Sequence, residues 1–357
     1  MKALIILRPD ASSHYGGDTR LAYEIHSALR RIGVTADLVE TESPEPVGYD
    51  VAHIVNVGEP LVCRRQFDAC ERAGVPVALS PVWLDVRELF GRGRAFEKLF
   101  VHEKYADRAL RSAQALARAD NNRLLGRERE RIERREEQQR ELLRRARVLM
   151  PNSAMEAKDC MVRLGVRDVP MVVVPIAASL EPEAHWREPK RGIAIVGRVE
   201  TRKNQITAIF ALRDEGVPID VVGLCGDKGL VAACERWCRT ARFHGKLPRE
   251  QLLDILGGCA VHVMASWSET AGIANLEAAA AGAHLVVGDR GAEYEYFGED
   301  ADYADPADPE SIRAAVTRAL ARPPRTRGDS LDRRLRRQTW DHAAQETARA
   351  YRIAIGG

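Results

Sequence analysis

Two glutamates, Glu269 and Glu277, stand eight residues apart and are the side chains of this sequence best placed for chemistry. Glu269 follows the strand-like run 260–264 through a short polar loop, and Glu277 lies in the alanine-rich segment that comes next. Alanine favours helix, so Glu269 should reach out of a loop while Glu277 stands about two turns further on. Amides at the helix start would favour an anion such as phosphate. The arrangement predicts a site for a sugar, a phosphate and a ribose in a row.

Two basic residues occupy a second turn of the same kind. Gly197 and Arg198 end the apolar run 192–196, and Lys203 opens the helical pattern that follows. Arg198 offers a planar fork and Lys203 a point charge, so together they could clamp a diphosphate. Such a clamp stabilises the charge that develops on a leaving nucleoside diphosphate and can take the place of a metal. Surface charges in an ordinary turn would give the same pattern.

These segments resemble a known family. The run 268–282, Ser-Glu-Thr-Ala-Gly-Ile-Ala-Asn-Leu-Glu-Ala-Ala-Ala-Ala-Gly, looks like the donor-site signature of the retaining GT-B glycosyltransferases, glycosyltransferase family 4 in particular. The Gly-Arg-x4-Lys pattern of Gly197, Arg198 and Lys203 also matches. Ala271 stands where the family usually has an aromatic residue.

The resemblance implies a role for each of these residues. Glu277 would bind the ribose hydroxyls, and Glu269 would hold donor-sugar hydroxyls and help to stabilise an oxocarbenium-like centre. The remaining donor contacts would come from the side chains of Arg198 and Lys203 on the diphosphate and from the amides of Gly272, Ile273 and Ala274. No metal or other cofactor is expected, and the nucleotide sugar is a co-substrate.

Three other segments carry weaker signals. The pair Gly16-Gly17 resembles the family's glycine-rich loop, which faces the donor phosphates and the acceptor, although a plain tight turn would look the same. Glu295 follows the strand after Glu277 and is a candidate donor contact. Many family members have a His after the strand 77–80, where this chain has Trp83 and Asp85. Asp85 could take part of that role, or Trp83 could stack on a sugar ring.

Apolar strand-like runs alternate with helical patterns, which indicates parallel sheets covered on both faces. The predicted strands include 2–7, 35–39, 51–55, 77–80, 171–175, 192–196, 219–222, 260–264 and 284–288. They predict two doubly wound domains with a ligand crevice between them. This agrees with the GT-B fold that the resemblance implies, two Rossmann-like domains facing each other across a cleft. We place an acceptor-side domain at 1–180 and a nucleotide-sugar-binding domain at 190–335. The resemblance implies that a helix at 338–357 crosses back to the N-terminal domain.

Residues 95–149 depart from the family, which has a shorter helix here. We interpret them as a charged helical insertion in the N-terminal domain, made of two helices broken near Gly126. The first should pack, and the second, over 126–147, should be a solvated arm that can be removed without loss of donor binding. Docking to a partner, self-association and membrane contact all remain open roles for the insertion.

Bulk properties set further limits. A chain of 357 residues suggests two domains, and seven scattered cysteines without metal-ligand spacing indicate a reduced, cytoplasmic setting. We expect no signal peptide and no membrane span. Residues 101–150 hold 14 Lys+Arg against 9 Asp+Glu, and 311–357 hold 11 Arg against 4 acids. These basic helices could contact the inner face of a membrane or could be solvated faces. No specific nucleic-acid binding is expected.

The function that these features imply is retaining transfer of a sugar from a nucleotide-diphospho-sugar, a GDP- or UDP-sugar with GDP-mannose as a guess. The acceptor would be a saccharide or lipid-linked molecule, in bacterial surface polysaccharide, lipopolysaccharide or glycolipid synthesis. A GT-B-fold nucleotide-sugar epimerase is the alternative enzyme, and it would need further acid and base residues. The alternative outside the enzymes is a catalytically silent scaffold that binds nucleotide sugar.

Overall fold

The computed structural model describes residues 1–177, 184–270 and 272–356. The chain forms two compact units, each built from separate stretches of sequence. The first unit comprises Met1–Leu84, Glu130–Ala177 and Gln338–Gly357, and the second comprises Asp85–Arg129 and Ala178–Arg337. Ala271, where the family signature has an aromatic residue, lies outside the described residues. Across the described residues, no helix is both long and apolar enough to cross a membrane.

The elements alternate along the chain. The strands are β1 (Lys2–Leu7), β2 (Thr35–Glu40), β3 (Val51–Val55), β4 (Val77–Ser80), β5 (Val148–Leu149), β6 (Ile193–Val196), β7 (Ile219–Val222), β8 (Ala241–Gly245), β9 (Val261–Met264), β10 (His284–Gly288) and β11 (Asp302–Ala304). The α-helices are α1 (Gly17–Arg31), α2 (Pro60–Arg72), α3 (Arg94–His102), α4 (Ala106–Arg118), α5 (Asn121–Leu125), α6 (Glu128–Arg145), α7 (Ala154–Val162), α8 (Gln205–Ala211), α9 (Lys228–Trp237), α10 (Arg249–Gly258), α11 (Ile273–Ala280), α12 (Glu293–Phe297), α13 (Pro309–Ala321), α14 (Ser330–Arg337) and α15 (Trp340–Ile355).

The first unit is built on a five-stranded parallel sheet in the order β2-β1-β3-β4-β5. Strand β1 is buried from Ala3 to Leu7, as expected for a strand covered on both faces. The C-terminal helix α15 packs against α1 and against β3, β4 and β5. Tyr351 of α15 fixes this packing through a 2.8 Å hydrogen bond to His53 Nδ1, and His53 Nε2 lies 2.9 Å from Ser80 Oγ. Burial lowers the pKa of His53 to about 3, so this histidine is a neutral core residue.

The second unit is built on a six-stranded parallel sheet in the order β11-β10-β9-β6-β7-β8. Strands β6 and β9 lie side by side at its centre, so the loops that follow them meet at one edge of the sheet. Glycines let the ends of β6 and β7 approach closely. A Cβ added at Gly223 would stand 2.0 Å from the Gly197 carbonyl oxygen, and both residues have positive φ angles.

Helices α3 to α5 belong to the second unit, not to the N-terminal domain in which the sequence placed them. Phe96 and Phe100 of α3 are fully buried in the core of that unit. Phe100 packs 4.4 Å from the ring of Phe210, and its carbonyl accepts a 2.7 Å hydrogen bond from Trp237 Nε1. The aromatic side chains of α3 therefore complete the hydrophobic layer that covers α8 and α9.

Helix α6 is a core element of the first unit, and the prediction of a solvated arm was wrong. Ile132, Leu142 and Leu143 are buried, the last two against the same cluster as Phe67. Gln139 is buried as well, with its Nε2 donating to the Val57 carbonyl at 3.1 Å. The predicted break near Gly126 is confirmed, because this residue separates α5 from α6 with φ of 51°. The single helix predicted before it is instead three helices, α3, α4 and α5.

Candidate active site in the second unit

The loops after β6 and β9 bring Glu269 and Lys203 into contact. Lys203 ends the 3-10 turn Thr201–Lys203, and Glu269 lies five residues beyond the end of β9. The ammonium of Lys203 forms a direct ion pair with Glu269 Oε2 and lies 3.5 Å from Met264 Sδ. Only 12% of the Lys203 side chain and 8% of the Glu269 side chain are exposed. The sequence predicted both residues for the donor site, and the fold joins an acid and a cation at one point.

The electrostatics of the pair keep it ionised. Burial alone would raise the pKa of Glu269, but the charges of Lys203 and Arg202 hold it below its usual value. Burial lowers the pKa of Lys203, and the charge of Glu269 opposes that effect. Each group therefore depends on the other for its charge, because an unpaired buried charge is strongly unfavourable.

Arg202 is a third member of this cluster that the sequence reading passed over. Its Nη1 lies 3.4 Å from Glu269 Oε2, and its Nη2 lies 3.0 Å from Glu200 Oε1. It therefore links the loop after β6 to the loop after β9. The run between Arg198 and Lys203 contained the signal, since Arg202 is the only other basic residue there.

Arg198 is placed differently from Lys203. Its side chain is 45% exposed and its Nη1 stands 3.7 Å from Glu200 Oε2. Gly197, just before it, has a φ of 150°, and a Cβ at that position would pack 3.6 Å from Lys203 Cε. Glycine here leaves room beside the Lys203 side chain, and Arg198 is free of any close contact with Glu269 among those the structure gives.

The helix that carries Glu277 begins without a side-chain cap. Gly272 is the N-cap of α11 with a φ of 73°, a conformation that favours glycine. A Cβ there would stand 2.8 Å from Asn275 Nδ2 and 3.4 Å from Glu269 Cγ. Ile273 and Ala274 are half-buried in the first turn of the helix. The N-cap glycine has no side chain that could cap their amides, which lie at the helix start where the sequence predicts an anion.

Glu277 is buried on α11 and paired with a residue that the sequence did not suggest. Its Oε1 lies 2.5 Å from Nη1 of Arg249, the first residue of α10. The Glu277 side chain is 7% exposed and that of Arg249 is 31% exposed. The guanidinium therefore fixes the orientation of the carboxylate at the edge of the sheet.

The segment after β10 contains two acids with opposite environments. Glu295, the predicted donor contact, is exposed on α12. Glu293 is 1% exposed, and its Oε2 has no hydrogen-bond partner among the described residues. Burial first, and then the nearby charge of Glu269, raises the pKa of Glu293 well above its usual value. Glu293 is thus a buried acid close to the cluster whose protonated form is favoured by burial, and no spacing in the sequence indicated it.

The predicted glycine loop of the first unit starts α1. Gly16 is the N-cap and has an extended φ of −138°, with no side-chain cap on the helix. A Cβ on Gly17 would meet nothing within 4 Å. Backbone strain therefore does not require glycine at Gly16, and packing does not require it at Gly17. Next to them, Asp18 accepts hydrogen bonds from Arg8 Nε at 3.3 Å and Asn56 Nδ2 at 2.8 Å.

Trp83 and Asp85 follow β4, where the family usually has a histidine. Trp83 is 5% exposed, and its Nε1 donates to Gln139 Oε1 at 3.1 Å within the first unit. The suggestion that Trp83 stacks on a sugar ring was wrong, because its ring is part of the core. Asp85 begins the second unit's helical stretch and accepts the amide of Arg87 at 3.0 Å.

Comparison with known proteins gives a family match over a range that contains these residues. Residues 179–339 match the family model described as glycosyl transferases group 1. This range contains β6, β9 and α11, and with them Lys203, Glu269 and Glu277. No curated protein sequence matches the chain.

Solved structures resemble the chain over nearly its whole length. A sucrose-phosphate synthase from Thermosynechococcus elongatus has a TM-score of 0.72 at 16% identity, over 98% of both chains. The lipopolysaccharide outer core galactosyltransferase WaaB has a TM-score of 0.62 at 11% identity, over 98% of this chain and 99% of its own. HepE from Anabaena, in complex with UDP and glucose, has a TM-score of 0.58 at 14% identity, over 98% and 94%. At such identities the likeness shows the fold.

The two parallel α/β units are the two Rossmann-like domains of a GT-B fold. With a glycosyl transferases group 1 domain over residues 179–339, the protein is a glycosyltransferase.

Proposed function

We propose that the protein is a retaining glycosyltransferase of family 4 that transfers a sugar from a nucleotide-diphospho-sugar. The contact between Lys203 and Glu269 carries the proposal. A diphosphate and the sugar bonded to it are adjacent in such a donor, and here a buried cation and a buried acid are adjacent at the ends of β6 and β9. The two-acid pattern and its resemblance to retaining enzymes support retention.

Each residue then has a distinct part in the reaction. Glu277 binds the ribose hydroxyls while Arg249 fixes its orientation. Lys203 and the exposed Arg198 hold the diphosphate, and the amides at the start of α11 add dipoles of the right sign. As the sugar–phosphate bond breaks, negative charge grows on the diphosphate, and these groups stabilise it.

Glu269 acts on the sugar side of the breaking bond. It binds sugar hydroxyls, and its negative charge stabilises the positive charge that develops at the anomeric carbon. Because Lys203 and Arg202 keep its pKa low, the carboxylate is available in its charged form at neutral pH. Gly16 and Gly17 of the first unit are proposed, on the resemblance alone, to contact the donor phosphates and the acceptor.

The transfer is proposed to need no metal, because cationic side chains stand where a metal would neutralise the diphosphate. Activity should therefore survive incubation with EDTA at a concentration that strips bound divalent cations. Loss of activity in EDTA that manganese or magnesium restores would contradict this part of the proposal.

The donor is proposed to be a UDP- or GDP-sugar. HepE, whose fold is similar, was solved with UDP and glucose, which supports UDP, and GDP-mannose remains a candidate. The acceptor is proposed to be a saccharide or a lipid-linked saccharide of bacterial surface polysaccharide or lipopolysaccharide synthesis, to which the likeness to WaaB lends support. All seven cysteines are free thiols, which suits a cytoplasmic enzyme, with contact at the inner membrane face as a further proposal.

A thermal-shift screen tests the proposal. A ligand that binds only the folded state stabilises it by about 2.7 kcal/mol at 100 times its Kd, so a true donor should raise Tm by several degrees. We expect one of UDP-glucose, UDP-galactose, UDP-N-acetylglucosamine and GDP-mannose to do so, followed by release of UDP or GDP when acceptors are added. No shift with any nucleotide sugar would contradict the proposal. Binding without turnover on any acceptor would favour a silent scaffold.

A further inference from the structure

The second unit contains a helical segment that contacts the loops after β6, β9 and β10, which form the candidate site. We call residues 85–125 the helical brace, and they comprise a π-helical turn at Leu89–Gly93 together with α3, α4 and α5. Its contacts fall on the loops after β6, β9 and β10.

The first contact is with Trp267, two residues before Glu269. The indole is 2% exposed and lies edge-to-face on Phe96, with ring centroids 5.4 Å apart. Gly93 lies flush against the same ring. A Cβ added at Gly93 would stand 3.1 to 3.2 Å from three indole atoms, closer than ordinary packing allows. The brace therefore packs closely around the indole of Trp267, which anchors the loop that carries Glu269.

The second contact is with the turn that carries Lys203. The π-helical turn Leu89–Gly93 packs against Thr201–Lys203. The loop after β9 and the loop after β6 are also joined directly, by a 2.9 Å hydrogen bond from the Trp267 amide to the Arg202 carbonyl. A shift of the brace would thus move both partners of the Lys203–Glu269 pair.

The third contact is with the loop after β10. Arg290 donates from Nε to Glu88 of the brace at 2.8 Å, and from Nη2 to Asp305 at 2.8 Å. Next to it, Gly291 packs so closely on the Glu269 loop that an added Cβ would stand 2.1 Å from the Glu269 carbonyl oxygen. Glu88 therefore supports the Glu269 backbone through Arg290 and Gly291.

We propose that the helical brace positions Glu269 for the reaction, with Phe96 and Gly93 as positioning residues that act through Trp267. This inference rests on the proposed function, in which Glu269 acts on the donor sugar. A misplacement of about 1 Å in a catalytic group can lower turnover roughly 100-fold, so a rigid support behind the loop has a direct kinetic effect. The three contacts do not include Glu277 or Arg249, to which the proposed function assigns the nucleoside end of the donor.

The test compares Phe96→Leu with Phe100→Leu. Both residues are fully buried on α3, and their rings contact each other at 5.9 Å. Of the two, Phe96 contacts the Trp267 ring directly, whereas Phe100 packs on Phe210 and Trp237. The two variants should lose similar thermal stability. Gly93→Ala, which crowds the indole directly, is the second variant, so the test does not depend on the folding of Phe96→Leu. Measurements use the full chain well below its Tm.

Hydrogen–deuterium exchange of the ligand-free protein tests the positioning step without any donor. Amides of residues 265–270 should exchange several-fold faster in Phe96→Leu and Gly93→Ala than in Phe100→Leu, because only the first two loosen the packing around the Trp267 indole. Equal exchange of this loop in all three variants would overturn the proposal. This result does not depend on the proposed reaction, so a wild-type protein that binds no nucleotide sugar would contradict only the proposed function.

Kinetics test the consequence for the reaction. With the donor found by the screen, kcat should fall at least about tenfold in Phe96→Leu and Gly93→Ala and stay within about twofold in Phe100→Leu. The Kd for UDP or GDP alone should rise by a smaller factor than kcat falls in Phe96→Leu and Gly93→Ala, because Glu277 and Arg249 still hold the nucleoside end. The inference would be overturned if kcat of Phe96→Leu matched kcat of Phe100→Leu. It would also be overturned if affinity for UDP or GDP fell as much as kcat in both variants, because the brace would then be an ordinary core element.

Discussion

Glu269 and Lys203 form an ion pair that contributes little to the free energy of folding. Its importance is that it holds two opposite charges side by side in the candidate site. Taking two charges out of water costs several kcal/mol each, and their attraction returns this cost only when the geometry is good. Such a pair is poor evidence for stability, but it places opposite charges at one point with little freedom to move. In a glycosyltransferase, the two ends of a breaking sugar–phosphate bond need opposite charges close together.

Arg198 gives the cleanest test of the diphosphate clamp. Because its side chain is half-exposed, Arg198→Ala should change the free energy of unfolding by less than about 0.5 kcal/mol. Turnover should nevertheless fall roughly 10²-fold or more, since a charge that acts mainly in the transition state is lost. Lys203→Ala should lower turnover as well, but it also leaves Glu269 less well paired. Steady-state kinetics beside thermal melting separate the effects, and near wild-type turnover in both variants would contradict the clamp.

Replacing Glu277 or Glu269 with alanine should change different kinetic quantities. Glu277→Ala removes a contact to the unreacting ribose, so it should mainly raise the donor Kd with a smaller change in kcat. Glu269→Ala removes a contact to the reacting sugar, so it should mainly lower kcat. Calorimetric titration of the donor and single-turnover rates give the two quantities separately. An unchanged donor Kd in Glu277→Ala would refute the ribose assignment.

The sequence predicted part of this site for clear physical reasons. Glu269, Glu277 and Lys203 lie within short runs where a strand ends and a helix begins, and local spacing is enough to place such residues. Arg249 and Glu293 could not be found in this way. Arg249 reaches Glu277 only because α10 and α11 pack together, and Glu293 differs from Glu295 only in which side of a five-residue helix is buried.

At the scale of elements, the sequence predicted buried strands well because continuous apolar runs have few other solutions in an α/β protein. Two segments, the run 171–175 and helix α6, differ from what their apolar patterns predicted. The run 171–175 forms only a single bridge, from Met171 to Leu149, although it is apolar. Helix α6 was misjudged because its sequence is highly charged, yet Leu142 and Leu143 are enough to join it to a core, and Gln139 hydrogen-bonds to Trp83 and Val57.

The start of α7 should make stability depend on pH. Glu156 is 4% exposed and accepts the amides of Trp83 and Asn152, each at 2.7 Å. Burial raises its pKa from 4.5 to about 7. Between these values the folded protein holds a proton that the unfolded chain has lost, so stability is full below pH 4.5 and falls as pH rises to 7. The loss should approach about 3 kcal/mol.

Urea denaturation from pH 4.5 to 8 checks this expectation through a difference. Subtracting the unfolding free energy of Glu156→Gln from that of the wild type removes the effect of the other titrating groups. The difference should decline across the window and level off above pH 7. Glu130→Gln, with an 81% exposed side chain, is the control and should show no such slope. A flat difference for Glu156→Gln would mean that the carboxylate is already charged in the folded protein.

At the scale of the whole molecule, both units are discontinuous in sequence. The chain enters the second unit at Asp85, returns to the first at Glu130, enters the second again at Ala178 and ends in the first from Gln338. The sequence predicted the last return from a family resemblance, but it placed all of 95–149 in the N-terminal domain. Helical periodicity shows that a helix has an apolar face, but it does not show which core that face joins. Only packing of Phe96 and Phe100 against the second unit decides it.

A fragment of residues 178–337 should therefore not fold stably, although it has the boundaries that a simple two-domain reading would choose. It lacks α3, whose Phe96 and Phe100 are fully buried, and each such side chain contributes about 1.5–3 kcal/mol on burial. It also lacks Glu88, the partner of Arg290. Since domains are stable by only about 5–15 kcal/mol, these losses remove most of the margin. Joining residues 85–129 to residue 178 through a flexible Gly/Ser linker should restore a cooperative melting transition and binding of UDP or GDP. If the fragment without 85–129 melts cooperatively near the temperature of the linked one, the helical stretch is an appendage of the second unit and not part of its core.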